Sequence, residues 1–513
     1  MTKKITQLLV LVTFIITGFR GFGAPNTLVV TRGILGSVTI SGTPSQAADL
    51  QASSDLQNWS TVVPNLPAGT AFTYPDLLPG SKRIFRLKSV ASGTVLTDLS
   101  TLNNRVFTSG EGFNSLQYGP NGKLGVIVWR DHDLLFRERA TDGSWSEKVI
   151  SSDGRTFTHS GSQNGEEYRF QPPAFLGYDS SSMPHILRVS GSTLIQSVLT
   201  SIGQWVNDAP VSLPNGLSSF ALFTGAMGPG GKWHVSFSST GSDQTLQYGS
   251  NRNGSWQWSV VTTLQGNIRY FLPQSWAPRF FSMAIDSQNF AHIAYTPHMD
   301  LGPGPQGYAR PYSELHYASN RSGQWVTETV YAPNNSSADA GYGASIALDA
   351  NDKPSIANWY NERADTGSAQ WSQMFYHQKD SNGNWVNSVA ARLPDNYAAG
   401  DGDRGAGFAP YLRFDSRNRP NIIFSDAASE HFYNGQQEFA GQIRHTVLDN
   451  GNWISRTVYR QGNPQLSQIV YPAFAMSSSE VTYVALDRAT QFDSTWRVAN
   501  SDYKFVTMTQ PGL

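Results

Sequence analysis

Leu315-His316-Tyr317-Ala318-Ser319-Asn320-Arg321-Ser322-Gly323-Gln324-Trp325 is the segment on which the fold turns. A strand-like run leads into a polar turn closed by glycine. Tryptophan then opens a second run, with apolar alternation as far as Val330. Strand, tight turn with glycine, strand is a β-hairpin. The tryptophan carries more apolar surface than one hairpin can bury, so it has to pack on a neighbouring unit.

The pattern returns five more times, as Gly143-Ser144-Trp145, Gly203-Gln204-Trp205, Gly254-Ser255-Trp256, Gly383-Asn384-Trp385 and Gly451-Asn452-Trp453. Intervals between successive glycines are 60, 51, 69, 60 and 68 residues, the mark of a repeat architecture. A second hairpin precedes each one. Phe281–Ile285 turns at Asp286-Ser287-Gln288-Asn289, Ala347-Leu348 at Asp349-Ala350-Asn351-Asp352, and Tyr411–Phe414 at Asp415-Ser416-Arg417-Asn418. Degenerate copies start near Leu116, Phe175, Leu222 and Phe474, the last completed by Asp493-Ser494-Thr495-Trp496. Four strands per unit and seven units predict an all-β, seven-bladed β-propeller over residues 104–513.

These hairpins resemble relaxed Asp-boxes of sialidases and related propellers, whose pattern is Ser/Thr-x-Asp-x-Gly-x-Thr-Trp. Thr141-Asp142-Gly143-Ser144-Trp145 and Ser319–Trp325 keep the glycine and tryptophan and mostly lose the aspartate and threonine. The resemblance implies architecture only, because in that family the Asp-box is a structural turn distant from the catalytic centre.

Two segments precede the repeats. Lys3 and Lys4, the apolar run Leu8–Ile16 and the small residues Gly21, Gly23 and Ala24 read as a signal peptide over residues 1–23. Residues 24–103 hold short runs at Leu28–Val30, Val38–Ile40, Phe72–Tyr74 and Ile84–Leu87, spaced as a small β-sandwich. Ser53-Ser54-Asp55-Leu56-Gln57-Asn58-Trp59, with Phe85-Arg86-Leu87 after it, resembles fibronectin-like modules of secreted bacterial proteins, which implies an accessory domain.

Composition narrows the partners. Lys+Arg 37 against Asp+Glu 38 gives a net charge of −1, so no basic field favours nucleic acid or an anionic membrane. The absence of cysteine excludes disulfides, thiolate metal sites and cysteine nucleophiles. No later apolar run is long enough to span a bilayer. The expected mature product is a soluble, monomeric protein in the extracellular or periplasmic space.

Topology then singles out one face. In a four-stranded blade the A–B and C–D turns share one face, and the B–C and D–A connections share the other. Here the first set is short. The long segments, residues 151–173, 265–279, 296–313, 361–370, 394–409 and 426–441, all belong to the second. Long loops on a rigid scaffold are where binding and catalysis concentrate.

Charged and aromatic residues gather in those loops. His132, His298 and Tyr312 are candidate proton-transfer groups. Arg130, Arg269, Arg310 and Arg363 offer forks for carboxylates or sulfates. Trp276 offers a platform for a sugar ring, and Glu362, Asp426 and His431 complete the ligand-binding set. Bland roles stand beside these: Arg130 with Asp131 and Glu362 with Arg363 are suited to bracing loops, and Trp276 to a loop's private core. Without an HxH or HExxH pattern, no metal site and no cofactor are expected. Asp401-Gly402-Asp403 suits a structural calcium ion or an ordinary turn.

The inventory points to recognition of an extracellular glycan, an acidic polysaccharide. Alternatives on the same face are a polysaccharide lyase, a sialidase-like hydrolase, or a protein-interaction propeller. The hydrolase is set back by the missing Arg-Ile-Pro signature near a first strand. Residue types alone leave binding and catalysis both open.

Overall fold

The computed structural model describes residues 27–32, 38–43, 48–53, 60–66, 72–76, 84–89, 95–98, 116–130, 133–140, 144–152, 157–160, 167–170, 174–214, 223–238, 245–264, 281–297, 313–333, 338–340, 343–363, 370–392, 406–433, 436–460, 467–477, 480–492 and 498–509. Two compact units emerge: Met1–Thr94 with Arg456–Val458, and Val95–Ser455 with Tyr459–Leu513.

The first unit contains two three-stranded antiparallel sheets. One joins Thr27–Arg32, Val38–Thr43 and Phe72–Asp76, and the other joins Ser60–Leu66, Ala48–Ser53 and Ile84–Ser89. Ile40 and Leu50 are fully buried, and the Arg86 Nε donates to Gln51 Oε1 at 2.9 Å.

The second unit is the propeller. Blade 4 shows the plan, with strands Phe281–Ile285 (A), Ala291–Tyr295 (B), Leu315–Ser319 (C) and Val326–Tyr331 (D) paired in order. Blades 1, 2, 3, 5, 6 and 7 begin with A strands Leu116–Tyr118, Ala174–Tyr178, Phe223–Gly228, Ser345–Leu348, Ala406–Phe414 and Ser467–Met476. Each A strand touches the next, and that of blade 7 returns to that of blade 1, so the ring closes on seven.

Blade 7 is completed from far away in the chain. Its outer strand is Val95–Asp98, paired with Val498–Thr509 from Lys504↔Asp98 to Thr507↔Val95. The sequence reading leaves this strand inside the small module and expects the final hairpin around Thr495-Trp496. In the structure, Glu480–Phe492 and Val498–Thr509 are strands B and C of blade 7, the Thr495-Trp496 hairpin lies outside the described residues, and the fourth strand comes from residues preceding blade 1.

Glycine is required at the Gly-x-Trp turns. Gly203, Gly254, Gly323, Gly383 and Gly451 adopt φ of 80°, 95°, 89°, 84° and 80°, the left-handed region that costs a side-chain-bearing residue. Gly143 lies outside the described residues. In the turns of blades 2 to 5 the glycine N–H closes on the carbonyl three residues earlier, as Gly323 does on Asn320. The residue after the tryptophan points outward, as alternation demands: Val206, Val326, Val386 and Ile454 are exposed.

Hydrophobic clusters sit between blades. Leu246, Tyr248 and Val261 of blade 3 pack with Phe281, Met283, Ile293 and Trp325 of blade 4. The next gap holds Leu315, Tyr317, Val330, Ile346 and Ile356 with Trp385. The following gap holds Met374, Tyr376, Leu412 and Ile422 with Trp453. A bulge recurs where strand C meets strand D, at Leu134/Leu135, Leu246/Gln247, Leu315/His316 and Met374/Phe375. The extra D-strand residues, Ile150, Val261, Val330 and Ala390, are buried. These bulges put the C strands of four blades in one structural register.

Several of the long segments contain regular structure, including the end of Pro354–Arg363 and the start of Ala406–Phe414. Residues 426–441 form the ends of strands Pro420–Tyr433 and Gln436–Asp449, paired out to Tyr433↔Gln436. Within residues 151–173, Phe157–Ser160 pairs with Glu167–Phe170. No helix among the described residues is long and apolar enough to cross a membrane.

Candidate functional site

The short-turn face is consumed by scaffolding. Asp179, Asp286, Asp349 and Asp415 open four A–B turns, and each Oδ1 accepts the backbone N–H groups two and four residues on, at 2.8–3.0 Å. Fourth-position residues Ser182, Asn289, Asp352 and Asn418 take positive φ of 62°, 64°, 59° and 60°, which short polar side chains tolerate. Turns are also tied together around the ring. Ser287 N donates to Asp352 Oδ1 at 3.0 Å, and Ala350 N to Asn418 Oδ1 at 2.8 Å. The Ser287 hydroxyl, its main partner, holds the Asp352 carboxyl below the usual carboxylate range.

Six residues beyond each opening aspartate, a B-strand polar group pairs with strand C in three blades. His292 Nδ1 lies 2.6 Å from the Tyr317 hydroxyl, Tyr376 donates to Ser355 Oγ at 2.9 Å, and His445 Nε2 lies 2.8 Å from Asn421 Oδ1. Blade 3 repeats the contact with His234 Nδ1 on Tyr248 at 2.6 Å, although its turn opens on Gly228. Burial pushes the imidazole of His234 down to about 4 and the phenols of Tyr317 and Tyr376 up to about 12. His377, likewise buried and bonded to Asn358, is pushed down to about 3. These groups are locked into the sheets and hold them together.

At the opposite face, the backbone places several candidates from the sequence at the ends of B strands. Arg130 ends Leu124–Arg130 opposite Asp133, and Glu362 and Arg363 end Pro354–Arg363 opposite Trp371 and Gln370. Asp426 and His431 lie on Pro420–Tyr433 opposite Gln442 and Glu438. Equivalent strand ends thus bring Arg130 of blade 1 and Glu362 and Arg363 of blade 5 to one face, while Asp426 lies midway along the longer B strand of blade 6. His132, Arg269, Trp276, His298, Arg310 and Tyr312 lie outside the described residues, as does Asp401-Gly402-Asp403. Among the described residues, no cluster of acidic and imidazole groups is suited to a metal ion.

One arrangement was not singled out in the sequence. At the long-loop end of blade 4, His316 Nε2 donates to Glu314 Oε2 at 2.7 Å, with side chains 18% and 23% exposed. The His316 ring lies 5.6 Å from that of its cross-strand partner Tyr295, whose phenol burial pushes up to about 12. Thr296 and Ser313, which bracket the B–C connection, are buried. The signal was Glu314-Leu315-His316 itself: alternation puts the acid and the imidazole on one side of the strand.

No protein-family model and no curated protein matches the chain. Solved structures resemble it distantly. One is the polysaccharide lyase Uly1, at 10% identity and TM-score 0.46, with 82% of this chain and 98% of that one covered. Another is an ulvan lyase of family PL25 bound to -[GlcA(1-4)Rha3S]-, at 12% identity and TM-score 0.41, covering 80% and 96%. A third is the GH93 α-L-arabinofuranosidase of Fusarium graminearum with arabinobiose, at 12% identity and TM-score 0.37, covering 80% and 97%.

Proposed function

We propose that the chain is an exported protein whose propeller recognises an extracellular acidic polysaccharide through its long-loop face. One observation carries the reading: the unequal use of charge on the two faces. On the short-turn face the aspartates are taken up by backbone amides and neighbouring turns. On the other, B strands of two blades end in Arg130 and Glu362-Arg363, and that of blade 6 carries Asp426 midway to its end at Tyr433. In a chain only 15% charged, such a concentration supports a polar ligand. Guanidinium forks match carboxylates and sulfates geometrically. Arg269, Arg310, Trp276, His298 and Tyr312, which the sequence assigns to connections of the same face, extend the inventory to sugar-ring platforms. Lys3, Lys4 and the Leu8–Ile16 run support export, and residues 24–94 serve as an accessory module.

The test is an affinity gel of the purified protein, run with and without a series of polysaccharides bearing carboxylate, sulfate or neither. Retardation by at least one anionic polymer, weakened by salt, is the expected result. Retardation by neutral polymers alone overturns the acidic assignment, and none at all overturns glycan recognition.

A further inference from the structure

The repeat itself sets one pair of residues apart from its counterparts in the other blades. The shared bulge aligns Leu135, Gln247, His316 and Phe375 on the C strands of blades 1, 3, 4 and 5. Two residues earlier stand Asp133, Thr245, Glu314 and Gln373. Folding is served at this place by an apolar leucine, by an aromatic ring, or by Gln247 donating to Thr245 at 3.1 Å. Blade 4 alone among these four joins a carboxylate to an imidazole.

His316 also differs from the other histidines with described side chains. His234, His292, His377 and His445 are buried and bonded within the sheets, and His185 meets Asp179 at the short-turn end. At His316 a carboxylate can only accept, so Nε2 carries a hydrogen, and in the neutral imidazole the lone pair is then on Nδ1. That Nδ1 makes no hydrogen bond among the described residues. An oriented, partly buried imidazole, held through one nitrogen by an acid at the end of a rigid strand, is the geometry of a general base.

We infer that Glu314 and His316 form a proton-accepting pair, so that the long-loop face cleaves its glycan as well as holding it. This rests on the acidic-polysaccharide reading. A neutral imidazole needs an acidified proton, and in a uronate-containing polymer that proton is on C5, beside the carboxyl group. The C5–H bond breaks and its proton goes to Nδ1, while the electron pair forms the C4=C5 double bond. The C4–O bond to the neighbouring sugar breaks, and the leaving oxygen takes a proton from water. The hydroxide that remains takes the proton from Nδ1. One chain becomes two, one with an unsaturated uronate end, and nothing is oxidised or reduced.

The experiment uses the full chain with polygalacturonate, alginate and hyaluronan, reading binding by gel retardation and unsaturated ends by ultraviolet absorbance. The wild type binds at least one polymer and releases absorbing product from it. His316→Gln lowers kcat by ~10³-fold and Glu314→Gln by ~10–100-fold, with KM within about threefold and melting unchanged, as loss of a base and of its orienting partner requires. Binding without product overturns the pair and spares the recognition reading. So does His316→Gln with more than half the wild-type kcat, or new reducing ends without absorbance. Failure to bind any of these uronate polymers overturns the pair through its premise.

Discussion

The Trp325 ring meets the Tyr248 ring edge-on at 5.1 Å, across the gap between two blades. Its indole N–H donates to Ser259 Oγ of the same neighbouring blade at 3.0 Å. The contact recurs as Trp385 on Tyr317 at 5.3 Å and Trp453 on Tyr376 at 5.2 Å, and Phe136 receives Trp205 at 5.6 Å. These four Gly-x-Trp hairpins therefore buttress the blades that precede them. The C-strand tyrosine that receives the indole also bonds the B-strand polar group, so one residue serves the blade and its neighbour together.

Trp325→Ala removes a half-buried aromatic and one hydrogen bond, and is expected to cost about 3 kcal/mol. Trp325→Phe keeps the edge contact and costs about half as much. Chemical denaturation of the three proteins checks the order.

At Gly323 a Cβ meets nothing within 4 Å, so Gly323→Ala costs only the left-handed backbone, about 1–2 kcal/mol. At Gly249 a Cβ collides with the Trp258 ring, and Gly249→Ala costs about 3 kcal/mol through overpacking. If the two variants melt alike, backbone strain and steric room are not the separate causes assigned here.

Acid weakens the propeller. His234 is held down to about 4 and His377 to about 3, both chiefly by burial, and His292 is lowered for the same reason. Unfolded, these imidazoles take protons near pH 6.5. Their neutral burial is thus without cost above that pH, and stability is lost as pH falls from 6.5 toward 4. His234 alone accounts for on the order of 3 kcal/mol by pH 4. Melting temperatures measured from pH 7.5 to 4 should fall steadily, and His234→Gln should flatten the slope.

The turns were the most legible part of the sequence. Gly323 before Trp325 reports a positive φ that only glycine adopts freely, and Asp286, Asp349 and Asp415 report carboxylates capping their own turns. Both are local chemistry, complete within about six residues. The closing strand Val95–Asp98 carries no such mark, because its partner Lys504–Thr507 is remote in the chain and pairing leaves no composition signal. The Asp426–Gly441 segment reads as a loop on polarity, yet Asn434-Gly435 between Tyr433 and Gln436 is the short-hairpin dipeptide. Of the site, the charged ends of the B strands were readable from topology. The Glu314–His316 pair was hidden by Leu315, whose alternation reads as ordinary strand until the blades are superposed in register.

The two-face account is tested most directly by binding and melting measured together on two double variants. Arg310→Ala with Arg363→Ala should weaken retention on an acidic polysaccharide by about tenfold or more, with melting nearly unchanged, because charges kept for a ligand contribute little to folding, about 0–1 kcal/mol for a surface pair. Asp349→Ala with Asp415→Ala removes carboxylates that accept Asn351, Lys353, Arg417 and Arg419 amides. It should lower the melting temperature by several degrees, about 1 kcal/mol per cap, and leave retention within about twofold. Equal loss of binding from both variants, or binding lost only with the aspartates, would contradict the account.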